Sequence, residues 1–82
     1  MSIQFVKREL VAHAMHEAWS GWMEYLFSKC EIDSVTGRIT IPKRYVKRWK
    51  RQMNTYYRDL KSSEKESDRI EADKILKLID GD

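Results

Sequence analysis

The fold is decided by residues 11–30, VAHAMHEAWSGWMEYLFSKC. Apolar residues recur in this stretch every three or four positions, which is the spacing of one face of an α-helix. They are Val11, Ala14, Met15, Ala18, Trp19, Trp22, Met23, Leu26 and Cys30. Polar residues such as His13, Glu17 and Glu24 fall on the opposite side. We therefore predict a helix over about residues 4–29, in which Gly21 marks either close packing or a bend.

The helical spacing is lost after this stretch. In residues 31–41, EIDSVTGRITI, the Thr36-Gly37 pair is typical of a turn, and the alternation up to Ile41 favours a short extended arm or hairpin. Pro42 suits the first turn of a second helix, predicted over about residues 42–54.

A third helix is predicted near the carboxyl end, over about residues 63–79. Ser63 and Glu66 have the spacing of a capping box at its start. Its apolar stripe consists of Ala72, Ile75, Leu76 and Ile79. The predicted fold class is therefore all-α: a compact three-helix domain over residues 1–82, with a short extended arm or hairpin between helices 1 and 2.

Length and composition exclude several classes of protein. Eighty-two residues, 41% of them hydrophobic, make one domain with a small core and no room for a dinucleotide-binding sheet or a barrel. Cys30 is the only cysteine, so an internal disulfide and a cysteine-cluster zinc site are excluded. Charged residues in the first ten positions argue against a secretory signal, and no apolar run is long enough for a membrane span. We expect a cytoplasmic protein with no membrane partner.

The net charge of +3 conceals an uneven distribution. Residues 43–51 carry six basic side chains and no acidic one, whereas residues 64–82 have a net charge of −3. The basic segment can therefore meet an external anion or the acidic segment of another chain.

The sequence contains few residues that could act as catalytic groups. His13 and Glu17 stand one helical turn apart, but the two histidines do not have the spacing of a zinc-protease helix. Cys30 falls on the apolar stripe, where a thiol is usually inert, and no nucleophile elbow or glycine-rich phosphate loop is present. We expect no enzymatic activity, no cofactor and no metal.

The second helix has two interpretations. Its basic face, with Lys43, Lys47, Lys50 and Arg51, is suited to a nucleic-acid backbone, with nearby aromatic rings available for stacking. Tyr45 and Trp49, however, lie on the apolar face and are predicted to belong to the core. A charged helix face is also commonly just solvated.

Three charged residues precede the apolar stripe of the third helix on the same face, and they are Lys65, Asp68 and Arg69. One interpretation is an ion-pair network that ties the start of this helix to residues 57–60 or to Glu17. The other is a polar pocket at the end of the core, in which Lys65 and Arg69 bind an anion between tryptophans. The sequence leaves both open.

Two stretches resemble a known family. HEAWSGW at 16–22 and YRDLKSSEKESDRIEADKIL at 57–76 are similar to the helical repeat domain first described in ryanodine receptors, which also occurs in bacteria and their viruses. The run WKRQMNTYYRDLKSSEKESDR at 49–69 resembles a set of small phage and prophage proteins still more closely. The resemblance implies an all-helical module.

The resemblance also implies a function. Bacterial members of that family are associated with nucleotide-derived ligands, so a free-standing phage copy is expected to act as an anti-defence sponge that captures such a signalling molecule. The implied ligand-binding residues are His16, Glu17, Trp19, Trp22, Tyr57, Lys65, Asp68 and Arg69. Two alternatives stay open: a nucleic-acid-associated accessory protein that uses the basic helix, and a protein-binding inhibitor or adaptor that uses the tryptophan-rich helix. The number of large apolar residues favours a homo-oligomer in each case.

Overall fold

The computed structural model describes residues 3–80. In chain order its elements are α1 (Ile3–Ser28), β1 (Glu31–Ile32), β2 (Ile39–Thr40), α2 (Lys43–Met53), a short 3₁₀ turn (Tyr57–Asp59) and α3 (Ser62–Asp80). The all-α class is confirmed, as is a hairpin between the first two helices. Each helix begins and ends within one residue of the bounds that the apolar spacing predicts.

Gly21 lies inside α1, and the helix continues through it. A Cβ atom built at this position would meet nothing within 4 Å. The interpretation of Gly21 as a close-packing position is therefore wrong, because there is open space where a neighbour would have to lie.

The hairpin is organised by its turn. β1 and β2 pair antiparallel, with Glu31 opposite Thr40 and Ile32 opposite Ile39. The Asp33 Oδ1 atom accepts hydrogen bonds from the backbone N–H groups of Val35 (2.9 Å) and Thr36 (3.3 Å). Gly37 then takes a φ of +75°, a left-handed conformation that residues with a Cβ adopt only at a cost. The Thr36-Gly37 turn signal thus has a specific backbone cause.

We expect opposite results from alanine at the two glycines. Gly37→Ala should lower the free energy of unfolding by about 1 kcal/mol, because an L-residue is strained at positive φ. Gly21→Ala should raise it by about 0.5–1 kcal/mol, because alanine restricts the unfolded chain and the site has room for a methyl group. Chemical denaturation of both variants checks the pair. A stabilised Gly37→Ala variant would contradict the left-handed turn, and a destabilised Gly21→Ala variant would contradict the open space at residue 21.

The Asp33 carboxylate makes the turn sensitive to acid. The backbone N–H groups of Val35 and then Thr36 stabilise its charged form, so the pKa of Asp33 lies below its ordinary value of 3.8. A carboxyl whose pKa is lowered by folding stabilises the native turn above the unfolded pKa, and this contribution is lost as the pH falls through the folded pKa. In an NMR titration, the Val35 amide shift should move with a midpoint below 3.8, and the transition should be absent in Asp33→Asn.

The predicted roles of Pro42 and of the Ser63–Glu66 capping box at the starts of α2 and α3 need correction. Pro42 is the N-cap of α2 and not its first helical residue, since the helix begins at Lys43. At the start of α3 the capping interaction is made by Glu64, whose Oε1 atom accepts the backbone N–H of Lys61 at 3.2 Å. Glu66 instead lies 3.6 Å from the Arg69 guanidinium. The predicted Ser63–Glu66 box is therefore shifted by two residues.

The described chain forms two compact units, one of residues 3–21 with 61–80 and one of residues 22–60. The first contains the buried side chains of Ala14, Ala18 and Glu64. In α3, Ile75 and Ile79 are half-buried, whereas Leu76 of the predicted stripe is 54% exposed. Small residues therefore make the closest packing of this unit, and among its described residues no large side chain is fully buried.

The second unit is held by aromatic side chains. Trp49 makes an edge-on contact with Tyr25 (ring centroids 6.5 Å apart) and a tilted contact with Tyr45 (5.3 Å). Both Tyr45 and Trp49 are half-buried. The aromatic side of α2 thus packs against other residues of this unit, as the apolar spacing predicts.

Candidate functional site

The most distinctive surface of the unit of residues 22–60 is the outer side of α2. At 100° per residue, its six cations occupy a continuous arc of about 160°, opposite the side that carries Tyr45 and Trp49. All six are exposed. We call this surface the basic face, and it consists of Lys43, Arg44, Lys47, Arg48, Lys50 and Arg51.

Most of the basic face lacks neutralising partners. In the part of the chain that the structure describes, no carboxylate lies within 4.0 Å of the side-chain nitrogens of Lys43, Lys47, Arg48 or Lys50. Arg44 lies over the ring of Tyr45, with its guanidinium carbon 4.7 Å from the ring centroid. The charges of these four side chains are therefore directed at solvent, where they repel one another.

The whole unit is cationic. Residues 22–60 contain nine lysines and arginines and four carboxylates, which gives a net charge of +5. The remaining residues of the chain carry −2. Charge is thus segregated between the two units, and an anion is attracted to residues 22–60 before any specific contact forms.

Two tyrosines follow α2 and keep their rings accessible. Tyr56 is 75% exposed and Tyr57 is 49% exposed. The Arg58 guanidinium carbon lies 5.4 Å from the centroid of the Tyr56 ring. An exposed ring next to a cationic helix offers a planar apolar face to an unpaired base.

The ligand-binding residues predicted on α1 occupy two sides of the helix. His16 and Trp19 stack on each other, with ring centroids 5.9 Å apart and planes inclined by 26°. Glu17 lies 2.9 Å from His13 Nε2. Because Glu17 and Trp19 are two residues apart, they point in nearly opposite directions. The structure joins His16 to Trp19, and it places Glu17 on the other side.

The remaining predicted residues are divided between the two units. Trp22 and Tyr57 belong to the unit of residues 22–60, whereas Lys65, Asp68 and Arg69 belong to the other unit. The ion pair of Arg69 is with Glu66 on its own helix, and that of Glu17 is with His13. The printed ion pairs of Arg69 and Glu17 thus lie within their own helices, and the predicted network that includes Lys65 and Asp68 stays a prediction.

Sequence reasoning missed a shallow groove between α1 and α3. It has a volume of about 280 Å³ and lies within the unit of residues 3–21 and 61–80. Ala14 and Leu78 provide its apolar lining, and Lys74 Nζ approaches Glu71 Oε1 at 3.3 Å across its edge. Glu17 and Lys77 complete the lining. Its charges balance, so it offers no strong preference for an anion.

Comparisons with known proteins add no assignment. Neither a scan against protein-family models nor searches of curated proteins and solved structures found a match to this chain. Over residues 3–80, no helix is long and apolar enough to cross a membrane. Within the same range, no three His, Cys, Asp or Glu side chains lie where they could hold a metal ion.

Proposed function

We propose that the protein is a non-catalytic binding module that docks on the phosphate backbone of a nucleic acid through the basic face of α2. The observation that carries this proposal is the exposed arc of six cations, four of which have no carboxylate partner in the described structure. Holding like charges together on one short helix is unfavourable without a counter-anion, and a polyanion removes that repulsion.

The dimensions of the basic face suit a short stretch of backbone. The 11 residues of α2 extend about 16 Å, and successive phosphates of a strand with stacked bases rise about 3.4 Å along its axis. About four to five phosphates therefore lie within reach of the six cations. Contacts from lysine and arginine side chains to phosphates carry little information about base sequence, so we expect binding that is largely independent of sequence.

The exposed tyrosines favour single strands over duplex. Stacking of an unpaired base on an aromatic ring contributes about 1–3 kcal/mol, and Tyr56 and Tyr57 are exposed three and four residues after the end of α2. A paired base has no free face to offer. The proposed ligand is therefore single-stranded DNA or RNA, held by its phosphates and stacked on one or both rings.

Fluorescence anisotropy with labelled single-stranded and duplex oligonucleotides tests the proposal. With four to five phosphate contacts, the logarithm of the affinity for a single strand should fall with the logarithm of salt concentration with a slope of about −3. Tyr56→Ala should weaken single-strand binding by about tenfold and leave duplex binding unchanged. Absence of salt-dependent binding to either oligonucleotide would reject the function.

A second candidate is the capture of a nucleotide-derived signalling molecule by a phage-type sponge, as the family resemblance implies. The observation in its favour is the His16–Trp19 stack, because Trp19 is 55% exposed and presents an aromatic face to a base. A thermal-shift screen of mononucleotides, cyclic dinucleotides and ADP-ribose derivatives tests it. Stabilisation that is lost in both Trp19→Ala and Arg69→Ala would support the predicted site, whereas no stabilisation by any compound would reject it.

A further inference from the structure

One stripe of α1, which includes Met15 and Trp19 of its predicted apolar face, stays exposed in the described structure. Its members recur at alternating spacings of three and four residues from residue 5 to residue 19, which is the a/d pattern of a coiled-coil heptad. All of them are apolar except Arg8. On an ideal helix they lie 100–180° from the buried Ala14. We call this stripe the α1 seam, and it consists of Phe5, Arg8, Ala12, Met15 and Trp19.

The α1 seam is exposed although most of its members are apolar. Phe5 is 49% exposed, Met15 is 48% exposed and Trp19 is 55% exposed. Ala12 and Arg8 are exposed as well. An apolar helix stripe of this length is a protein-interaction surface by default.

We infer that the α1 seam binds the α1 seam of a second copy of this chain, with the two helices antiparallel. In an antiparallel pair each a position opposes a d position, so Arg8 of one copy meets Trp19 of the other, and Ala12 meets Met15. Each contact occurs twice because the pair has two-fold symmetry. Dimerisation through α1 does not depend on nucleic-acid binding by α2.

The chemistry of these pairs selects a second copy as the occupant. A guanidinium over an indole is the favoured cation–π pair, and a methionine fills the space left by an alanine. At the flank of the seam, Glu9 of one copy comes opposite His16 of the other. A parallel pair would instead place Arg8 against Arg8 and Ala12 against Ala12, giving like-charge repulsion and a void. The α1 seam is therefore complementary to a second α1 seam only when the two helices are antiparallel.

The area of the seam predicts a weak dimer. Phe5, Met15 and Trp19 offer about 200 Å² each and are about half exposed, and Arg8 and Ala12 add about half as much again, so the seam supplies roughly 450 Å² per copy. The total of about 900 Å² is in the range of weak, transient interfaces. We therefore expect a dissociation constant in the micromolar range and not an obligate dimer. The dimer covers Trp19, so dimerisation and base stacking on that ring exclude each other.

Sedimentation equilibrium of the full chain, from micromolar to millimolar concentration, tests the inference through a charge exchange. Trp19→Lys places a cation against Arg8 of the second copy and should raise the dissociation constant at least tenfold. Arg8→Glu removes the cation–π pair and should raise the dissociation constant about tenfold. The double variant Arg8→Glu/Trp19→Lys should bind at least tenfold more tightly than Trp19→Lys alone. Residues 8 and 19 lie about 16 Å apart on one helix, so this recovery requires a second chain.

Leu76→Lys is the matched control, because Leu76 is a 54% exposed apolar residue on α3, outside the seam. It should leave the dissociation constant unchanged within about threefold. All substituted side chains are exposed, and circular dichroism should show unchanged helicity. A wild-type chain that is monomeric at every concentration would overturn the inference, and so would a double variant as weak as Trp19→Lys.

Discussion

Replacing three lysines of the basic face, in Lys43→Ala/Lys47→Ala/Lys50→Ala, should weaken single-strand binding on the order of 10²-fold at moderate salt. Each lost phosphate contact releases about one counterion fewer, so the salt slope should become shallower by about 0.7 per residue, or about 2 in total. Anisotropy titrations at several salt concentrations measure both quantities. The side chains are exposed, so we expect the free energy of unfolding to change by less than about 1 kcal/mol.

The control removes the same charge from the other unit. Lys61→Ala/Lys74→Ala/Lys77→Ala also lowers the net charge from +3 to 0, but none of these lysines lies on α2. Its affinity should stay within about fivefold of the wild type, because only a long-range attraction is lost. If the two triple variants lose affinity equally, then net charge drives binding and the basic face is not the site.

Removing the Trp49 indole from the unit of residues 22–60 should have the largest effect on the free energy of unfolding. Trp49→Ala deletes a half-buried indole that contacts Tyr25 and Tyr45, and a loss of about 3 kcal/mol is expected from the area and ring contacts removed. For a domain of this size that is a fall in melting temperature of more than about 10 °C. Scanning calorimetry or thermal circular dichroism measures it.

Two further variants make this result interpretable. Tyr56→Ala removes an aromatic ring that is 75% exposed, so it should change stability by less than about 0.5 kcal/mol. Trp49→Phe keeps an aromatic contact and should fall between Trp49→Ala and the wild type. If Trp49→Ala melts like the wild type, then the aromatic cluster does not hold residues 22–60 together.

The helices and the hairpin could be predicted from the sequence because they depend on local features. Apolar spacing along residues 11–30, the proline before α2 and the Thr36-Gly37 turn each act over a few residues, where backbone geometry is decided. The capping interaction of α3 was predicted two residues too late, because Ser63 is the better capping residue by type. Glu64 makes the bond because its carboxylate reaches the Lys61 N–H when the helix begins at Ser62.

The candidate site could be predicted only in part, because charge partners depend on tertiary structure. That α2 is basic is visible in its composition, but which of its cations lack a carboxylate neighbour depends on where the acidic side chains of the unit lie in the tertiary structure. Conversely, arginine is well suited to anion binding, yet Arg69 forms an ion pair with Glu66 on the same helix. The spacing of Glu17 and Trp19 alone was enough to show that they point apart, and this signal was present in the sequence.

The sequence by itself determined the helical class of this protein, its element order and the position of its cationic segment, since periodicity and composition are properties of neighbouring residues. Only the tertiary structure decided which apolar residues are covered. Trp49 and Trp19 both lie on apolar helix stripes, but Trp49 packs on Tyr25 whereas Trp19 stays 55% exposed. The physical reason is that burial requires a surface from elsewhere in the chain. The described structure supplies one for Trp49, and we infer that a second copy supplies it for Trp19.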